Sequence, residues 1–284
     1  MSPVRQTALA VAAFLCAFAI GLAAYFPGEA LSRYVSLLAG RAAGMPVNLS
    51  PLRVGLTGLS ASTLEVRPPA GAPFVVHHLH APWTWRWVSV LPVSGLIGQE
   101  GRIDVNWNWS GDLSLTAKGV SLQDVPLPML PRDAKLQGRF DALLSAGPLA
   151  LRQGALRELP DGQLEARVEG IAVDNLRLGG MSVPPLHLDS VELRLVLGRT
   201  VQVESATLRG DVQGTLSGTI VPNLEHPENS RISLNVSLQV QRAWLDRLGD
   251  LRELAEGFLP GGRLEGAVEG TLAAPVLNRA GKGP

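Results

Sequence analysis

The chain is poor in cysteine, in lysine and in aromatic side chains, and each scarcity removes a class of explanation. A single cysteine, Cys16, occurs in 284 residues, so no disulfide framework and no thiolate metal site can be built, and stability must come from burial and backbone pairing. Lysine occurs only at Lys118, Lys135 and Lys282, the other basic residues being arginine, as in a GC-rich genome. Charged residues make up 18% of the chain, the formal net charge is zero, and the basic residues form no stripe of the kind that counterion release from nucleic acid requires. No nucleic-acid partner is expected. Aromatic residues are only 5%, and five of the six tryptophans fall between Trp83 and Trp109.

Catalytic signatures are missing as well. There is no Gly-x-Ser-x-Gly elbow and no phosphate-binding Gly-Lys-Ser/Thr loop, and Gly95 to Gly101 sits between strands with no helix to meet a phosphate. Acidic residues are scattered singly along strand faces, so no carboxylate pair offers acid and base. The expectation is a protein that is not an enzyme and takes no cofactor.

What is present begins with one apolar run, Thr7 to Phe26, without a charge over 20 residues. A helix of that length spans roughly 30 Å, the thickness of the hydrocarbon core. The expectation is a short cytoplasmic N-terminus (1–6), a single transmembrane anchor (7–26) and a large exported part. The competing reading is a cleaved signal peptide, with Arg5 as its basic flank and Ala17-Phe18-Ala19 or Ala23-Ala24 as the cleavage site. The run exceeds a signal peptide's usual core, and Tyr25, Phe26 and Pro27 suit an interfacial stop, which favours the anchor. Arg5 before the run and Arg33 and Arg41 after it leave the orientation open by charge. The short N-terminal flank and the cysteine-free remainder point to export into a bacterial periplasm.

The next segment, 27–45, reads as a juxtamembrane helix with Leu31, Tyr34, Val35 and Leu38 at helical spacing and Gly44 and Pro46 as terminators. From Val47 the period changes to two. Arg102 to Trp109 places Ile103, Val105, Trp107 and Trp109 on one face and Arg102, Asp104, Asn106 and Asn108 on the other, and the same alternation recurs in 191–195, 201–204 and 232–240. Short strands separated by glycine, proline or asparagine imply a mainly β, antiparallel region over 46–275, with a disordered tail at 276–284. One-sided alternation suits either a closed barrel or sandwich, or an open curved sheet whose apolar face lines a groove. Leu164 to Gly170 echoes Leu264 to Gly270, which reads as a repeated strand-turn unit.

Three groups of side chains are candidates for function. His77, His78 and His80 put His78 and His80 on one strand face, but two histidines without cysteine or a nearby acid do not make a metal site, and none is assigned. Trp83, Trp85, Trp87, Trp107 and Trp109 read either as thick core or as an aromatic surface for lipid or a partner. A helix over 243–259 carries the stripe Trp244, Leu245, Leu248, Leu251, Leu254 and Phe258. It packs on the sheet or, through Trp244, Leu248 and Leu251, docks another protein.

In layout the chain resembles type II secretion system protein N, the general secretion pathway protein N family. The residues that carry the likeness are the apolar run followed by Phe26-Pro27-Gly28-Glu29-Ala30-Leu31, the strand ending Thr63-Leu64-Glu65-Val66, Gly101-Arg102-Ile103-Asp104-Val105, and Gly261-Gly262-Arg263-Leu264-Glu265-Gly266. Leu264 to Pro275 also looks like repeats of AsmA-type envelope proteins. The first resemblance implies a non-catalytic accessory subunit in the inner membrane that binds other secretion-system components. The second implies lipid conveyed along an apolar β groove. Neither supplies a functional residue.

Overall fold

The computed structural model describes residues 27–68, 73–84, 89–125, 134–148, 151–152, 155–156, 158–175, 177–178, 181–224, 226–249 and 251–279. The apolar run 7–26 lies outside them, as do Trp85 and Trp87. Among the described residues no helix is long and apolar enough to cross a membrane.

The chain enters as helix α1 (Gly28–Ala43). Glu29 in its first turn and Arg41 in its last complement the helix dipole, and Gly44 closes it in the left-handed conformation, φ 66°, donating its N–H to the Gly40 carbonyl. Strands follow in order. The first group is β1 (Val47–Leu49), β2 (Arg53–Val54), β3 (Gly58–Val66), β4 (Phe74–Pro82), β5 (Val90–Ile97), β6 (Gly101–Asn108), β7 (Leu113–Ser121) and β8 (Lys135–Ala146). A hairpin, β9 (Leu151–Arg152) and β10 (Ala155–Leu156), leads to β11 (Gly162–Asp174). A second hairpin, β12 (Arg177–Leu178) and β13 (Met181–Ser182), leads to β14 (Leu186–Leu197), β15 (Val201–Gly210), β16 (Val212–Val221) and β17 (Arg231–Val240). Short helices α2 (Arg242–Leu245) and α3 (Leu251–Phe258) precede β18 (Arg263–Thr271) and β19 (Pro275–Arg279).

Strand makes up 61% of the structure, in one open antiparallel sheet of 15 strands. Its order follows the chain from β1 and β3 through β8, β11 and β14 to β19, with β2 also paired to β3. Consecutive strands therefore neighbour one another throughout, as short turns between alternating segments require. β1 and β2 at one edge and β19 at the other do not pair with each other, so the sheet does not close into a barrel. Pairing continues through Arg279, further than the tail expected from 276.

All turns fall at two ends of the sheet. One is capped: α2, α3 and the 3-10 turn Leu122–Asp124 lie there. The other, here called the open end, carries the turn at 55–57, the β4 to β5 connection, the turns at 109–112, 198–200, 222–230 and 272–274, and the β9–β10 hairpin, which packs on α1. The main core is Val76, Ile97, Ala117, Val120 and Ala142, packed by Phe74, Leu115, Phe140 and Leu164 from the same face. A second cluster, Val183, Val240, Leu245, Leu248 and Leu251, fills the capped end.

Three expectations are corrected by this architecture. The helix expected over 243–259 is interrupted at Gly249, φ 55° and ψ −123°, a conformation that favours glycine and breaks the segment into α2, a 3-10 turn and α3. A bulge at His78, φ 52°, shifts β4 so that His77 and His80, opposite Leu96 and Ser94, share the polar face instead of His78 and His80. The two halves of the sequence echo become β11 and β18, five pairings apart and so opposite in direction. They match as single strands, not as a repeated unit in space.

Candidate functional site: an apolar face with a small-residue track

The strands' period of two is converted by register into rows that cross the sheet. Ile103 of β6 faces Ala117, which faces Ala142, then Ala166, Leu193, Ala206, Leu216, Val236 and Gly266 of β18. On one side runs a second row, Val105, Leu115, Leu144, Leu164, Leu195 and Val203. On the other side the row is Val120, Phe140, Val168, Val191 and Leu208. In the middle row Ala117, Ala142 and Ala166 stand side by side and Ala206 follows beyond Leu193, while the flanking rows are leucine, valine and phenylalanine. These one-carbon side chains between rows of larger ones form a short, shallow track perpendicular to the strands, crossing β7, β8 and β11 and interrupted by Leu193 before Ala206, with apolar walls. Ala117, Ala142 and Ala206 at its floor are buried.

The opposite face is polar and its charges are matched. Glu165 faces Arg194 and Arg167 faces Glu192 across β11 and β14, with N to O separations of 3.5 Å and 3.7 Å. Arg167 also pairs with Glu169 at 2.7 Å. Glu165, Arg167, Glu192 and Arg194, with Lys118 and Asp141, line an open depression of about 860 Å³. Asp141 Oδ1 accepts the Gly119 N–H, which secures the bulge of β7 at that glycine. Beside this depression on the same face, the Arg102 guanidinium donates to Asp104, and that hydrogen bond, with the carboxylate's charge, raises its pKa above the ordinary arginine value. Among the described residues no group of histidine, cysteine and acidic side chains could hold a metal ion.

The tryptophans sit at the open end. Trp83 follows β4 directly, donating its backbone N–H to the Thr57 carbonyl at 3.0 Å and its indole Nε1–H to the Gly55 carbonyl at 2.9 Å. Trp107 lies on the apolar face between Leu91 and Leu113 near the end of β6. Trp109 occupies the next turn and is 72% exposed. None of these three fills the core, which is built instead from small and β-branched residues where neighbouring strands approach. Leu56, Val221, Leu224, Leu272 and Val276 are further exposed apolar residues near this end, so it is the apolar lip of the sheet.

The helix residues Trp244, Leu248 and Leu251 belong to the capped end. Leu248 and Leu251 are buried against Val183 and Val240, and Trp244 packs on the same cluster while its Nε1–H donates to the Pro185 carbonyl at 3.1 Å. They fill the end of the sheet, so the docking surface expected of them is corrected to an internal one. The track itself was missed by sequence reading. Its signal is alanine at positions 117, 142, 166 and 206 on the inward parity of four strands, but which alanines align depends on register.

No family model, no curated protein and no solved structure matches the chain.

Proposed function

We propose that the protein is a membrane-anchored binding protein of the bacterial envelope that holds acyl chains against the apolar face of its sheet. The observation that supports this best is the alanine track between two rows of larger apolar side chains, which crosses β7, β8 and β11 and resumes at Ala206 of β15. An extended hydrocarbon chain is long, narrow and without polar demands, and a track of this kind would remove water from both at roughly 25 cal/mol per Å². The sheet does not close, the walls of the track at Leu144, Leu164 and Leu195 are only partly buried, and the apolar lip at one end offers an entry. The apolar run 7–26 supplies the anchor in this reading, with the β region in the periplasm.

Full-length protein purified in mild detergent is expected to retain phospholipid on solvent extraction. Ala142→Asp, which places a carboxylate on the floor of the track, should reduce the bound lipid severalfold, while Thr116→Asp on the polar face should not. Protein free of phospholipid in the wild type would overturn the proposal. Orientation is checked separately by C-terminal reporter fusions, of which the alkaline phosphatase fusion should be active and the cytoplasmic one silent.

A second reading, an assembly subunit of the type II secretion system, is favoured by the edge at β19, which has no further strand partner among the described residues. A strand with free N–H and C=O groups is a template for adding a strand from another chain, and β19, with Val276 exposed, offers one. Crosslinking from Asn278→Cys in a Cys16→Ser background tests it in cells. Recovery of secretion-system subunits would support this reading, and adducts with none of them would count against it.

A further inference from the structure

Helix α1 is built inside out for a surface helix in water. It meets the sheet through its small residues. A Cβ on Gly28 would collide with the Leu52 carbonyl, Ser32 is buried, Ser36 Oγ accepts the Leu49 N–H at 2.9 Å, and a Cβ on Gly40 would stand 3.2 Å from the Met45 carbonyl. The large apolar residues Tyr34, Leu37 and Leu38 point away from the sheet, with Tyr34 60% and Leu37 50% exposed. At 100° per residue, Tyr34, Leu37 and Leu38 lie on the side opposite Ser32 and Ala39, with Arg33 at their border and Arg41, in the last turn, between Leu37 and Tyr34. A helix in water normally buries such a face. This one begins two residues after Phe26, the end of the charge-free run.

We infer that α1 lies flat in the interfacial layer of a phospholipid bilayer, with Tyr34, Leu37 and Leu38 among the first acyl carbons, Arg33 at headgroup level and the Arg41 side chain extending from the last turn to the same level. The inference rests on the reading of residues 7–26 as a membrane anchor and is independent of whether lipid occupies the track. The occupant is a bilayer and not a second protein because the helix starts too close to the run to leave its surface. The consequence concerns the whole sheet. Since α1 packs along β1 and against β10 of the mid-chain hairpin, the β1 edge of the sheet is seated on the membrane with the β9–β10 hairpin beside it. The track, perpendicular to the strands, then runs away from the bilayer.

Depth-dependent quenching in vesicles of phosphatidylcholine and phosphatidylglycerol tests this with the full chain. The native Cys16, labelled with an environment-sensitive fluorophore before reconstitution, reports on the anchor. In a Cys16→Ser background, Tyr34→Cys and Leu38→Cys report on α1, Leu56→Cys on the open end, and Leu272→Cys on a distant turn. The expected result is strong quenching of the Cys16 label by lipid spin-labelled deep in the chain. The labels at positions 34 and 38 should be quenched at least twofold more by shallow than by deep spin labels, and that at 272 only by aqueous iodide. If positions 34 and 38 respond to iodide like position 272 while the Cys16 label is deep, the inference is overturned and the anchor stands. A Cys16 label beyond reach of deep quenchers overturns both. Lipid quenching at position 56 with none at position 38 would mean the sheet stands on its open end, against the proposal. Excimers between copies labelled at position 34 would assign the face to a second chain and overturn the inference as well.

Discussion

Glycine and valine decide more of the local structure than the rarer residues do. Gly218 of β16 has φ 143°, and a Cβ there would meet the Ser233 carbonyl of β17. Gly218→Ala should therefore cost about 1–3 kcal/mol, through a conformation that side chains avoid and a displaced strand, read as a lower urea midpoint by circular dichroism. Gly257 in α3 has open space where a Cβ would be. Gly257→Ala is expected to raise stability by about 0.5–1 kcal/mol through helix propensity. At Val120, 1% exposed in the main core, truncation to alanine should lower the same midpoint by roughly 1–3 kcal/mol, because the surrounding strands cannot collapse fully on the lost methyl groups. His78 shows the limit of residue-level reading. An alternating pattern assigns it to a face, but an extra residue in the ladder is a matter of what lies opposite, and that was not in the local sequence.

Elements differ in how far their own residues specify them. Helix α1 was legible from its spacing and from Gly44, and the expected 27–45 differs from Gly28–Ala43 by end residues only. Strands β6, β14, β15 and β17 were legible because alternation is enforced wherever one face is shielded. The helical segment before β18 was less so. Its apolar stripe was visible, but Gly249 allowed it to fold back, and burial of Leu245, Leu248 and Leu251 in the capped end outweighed helix continuity. Leu248→Ala is expected to destabilise by about 2–5 kcal/mol. Trp244→Phe, which deletes the donor to Pro185 and part of the ring packed on the cluster, should cost less, about 1–2 kcal/mol. Hydrogen exchange resolves the two: both should raise exchange in 241–262, with the main core around Val120 unaffected in the Trp244 variant.

For the molecule as a whole the decisive property is that the sheet stays open. Spin labels at Asn48→Cys in β1 and Asn278→Cys in β19, in a Cys16→Ser background, should give a distance beyond about 30 Å, since the strands between them are each about 4.8 Å apart. A closed barrel would bring these edges to a single strand spacing, about 5 Å between backbones. The measurement also bears on function. Only an open sheet exposes both the alanine track and the free edges on which the two functional readings depend.

By itself the sequence determined that this is a two-faced β protein with one apolar run before it, because period, charge and turn residues act over a few neighbours and leave a local imprint. It determined the chemistry of each face as well, apolar on one parity and polar on the other. Only the tertiary structure decided that the faces do not close on each other, that Ala117, Ala142, Ala166 and Ala206 fall into one row, and that α1 turns its small residues inward. Those depend on register and on pairing between segments tens of residues apart. The free energy there belongs to contacts between strands, and no single strand carries it.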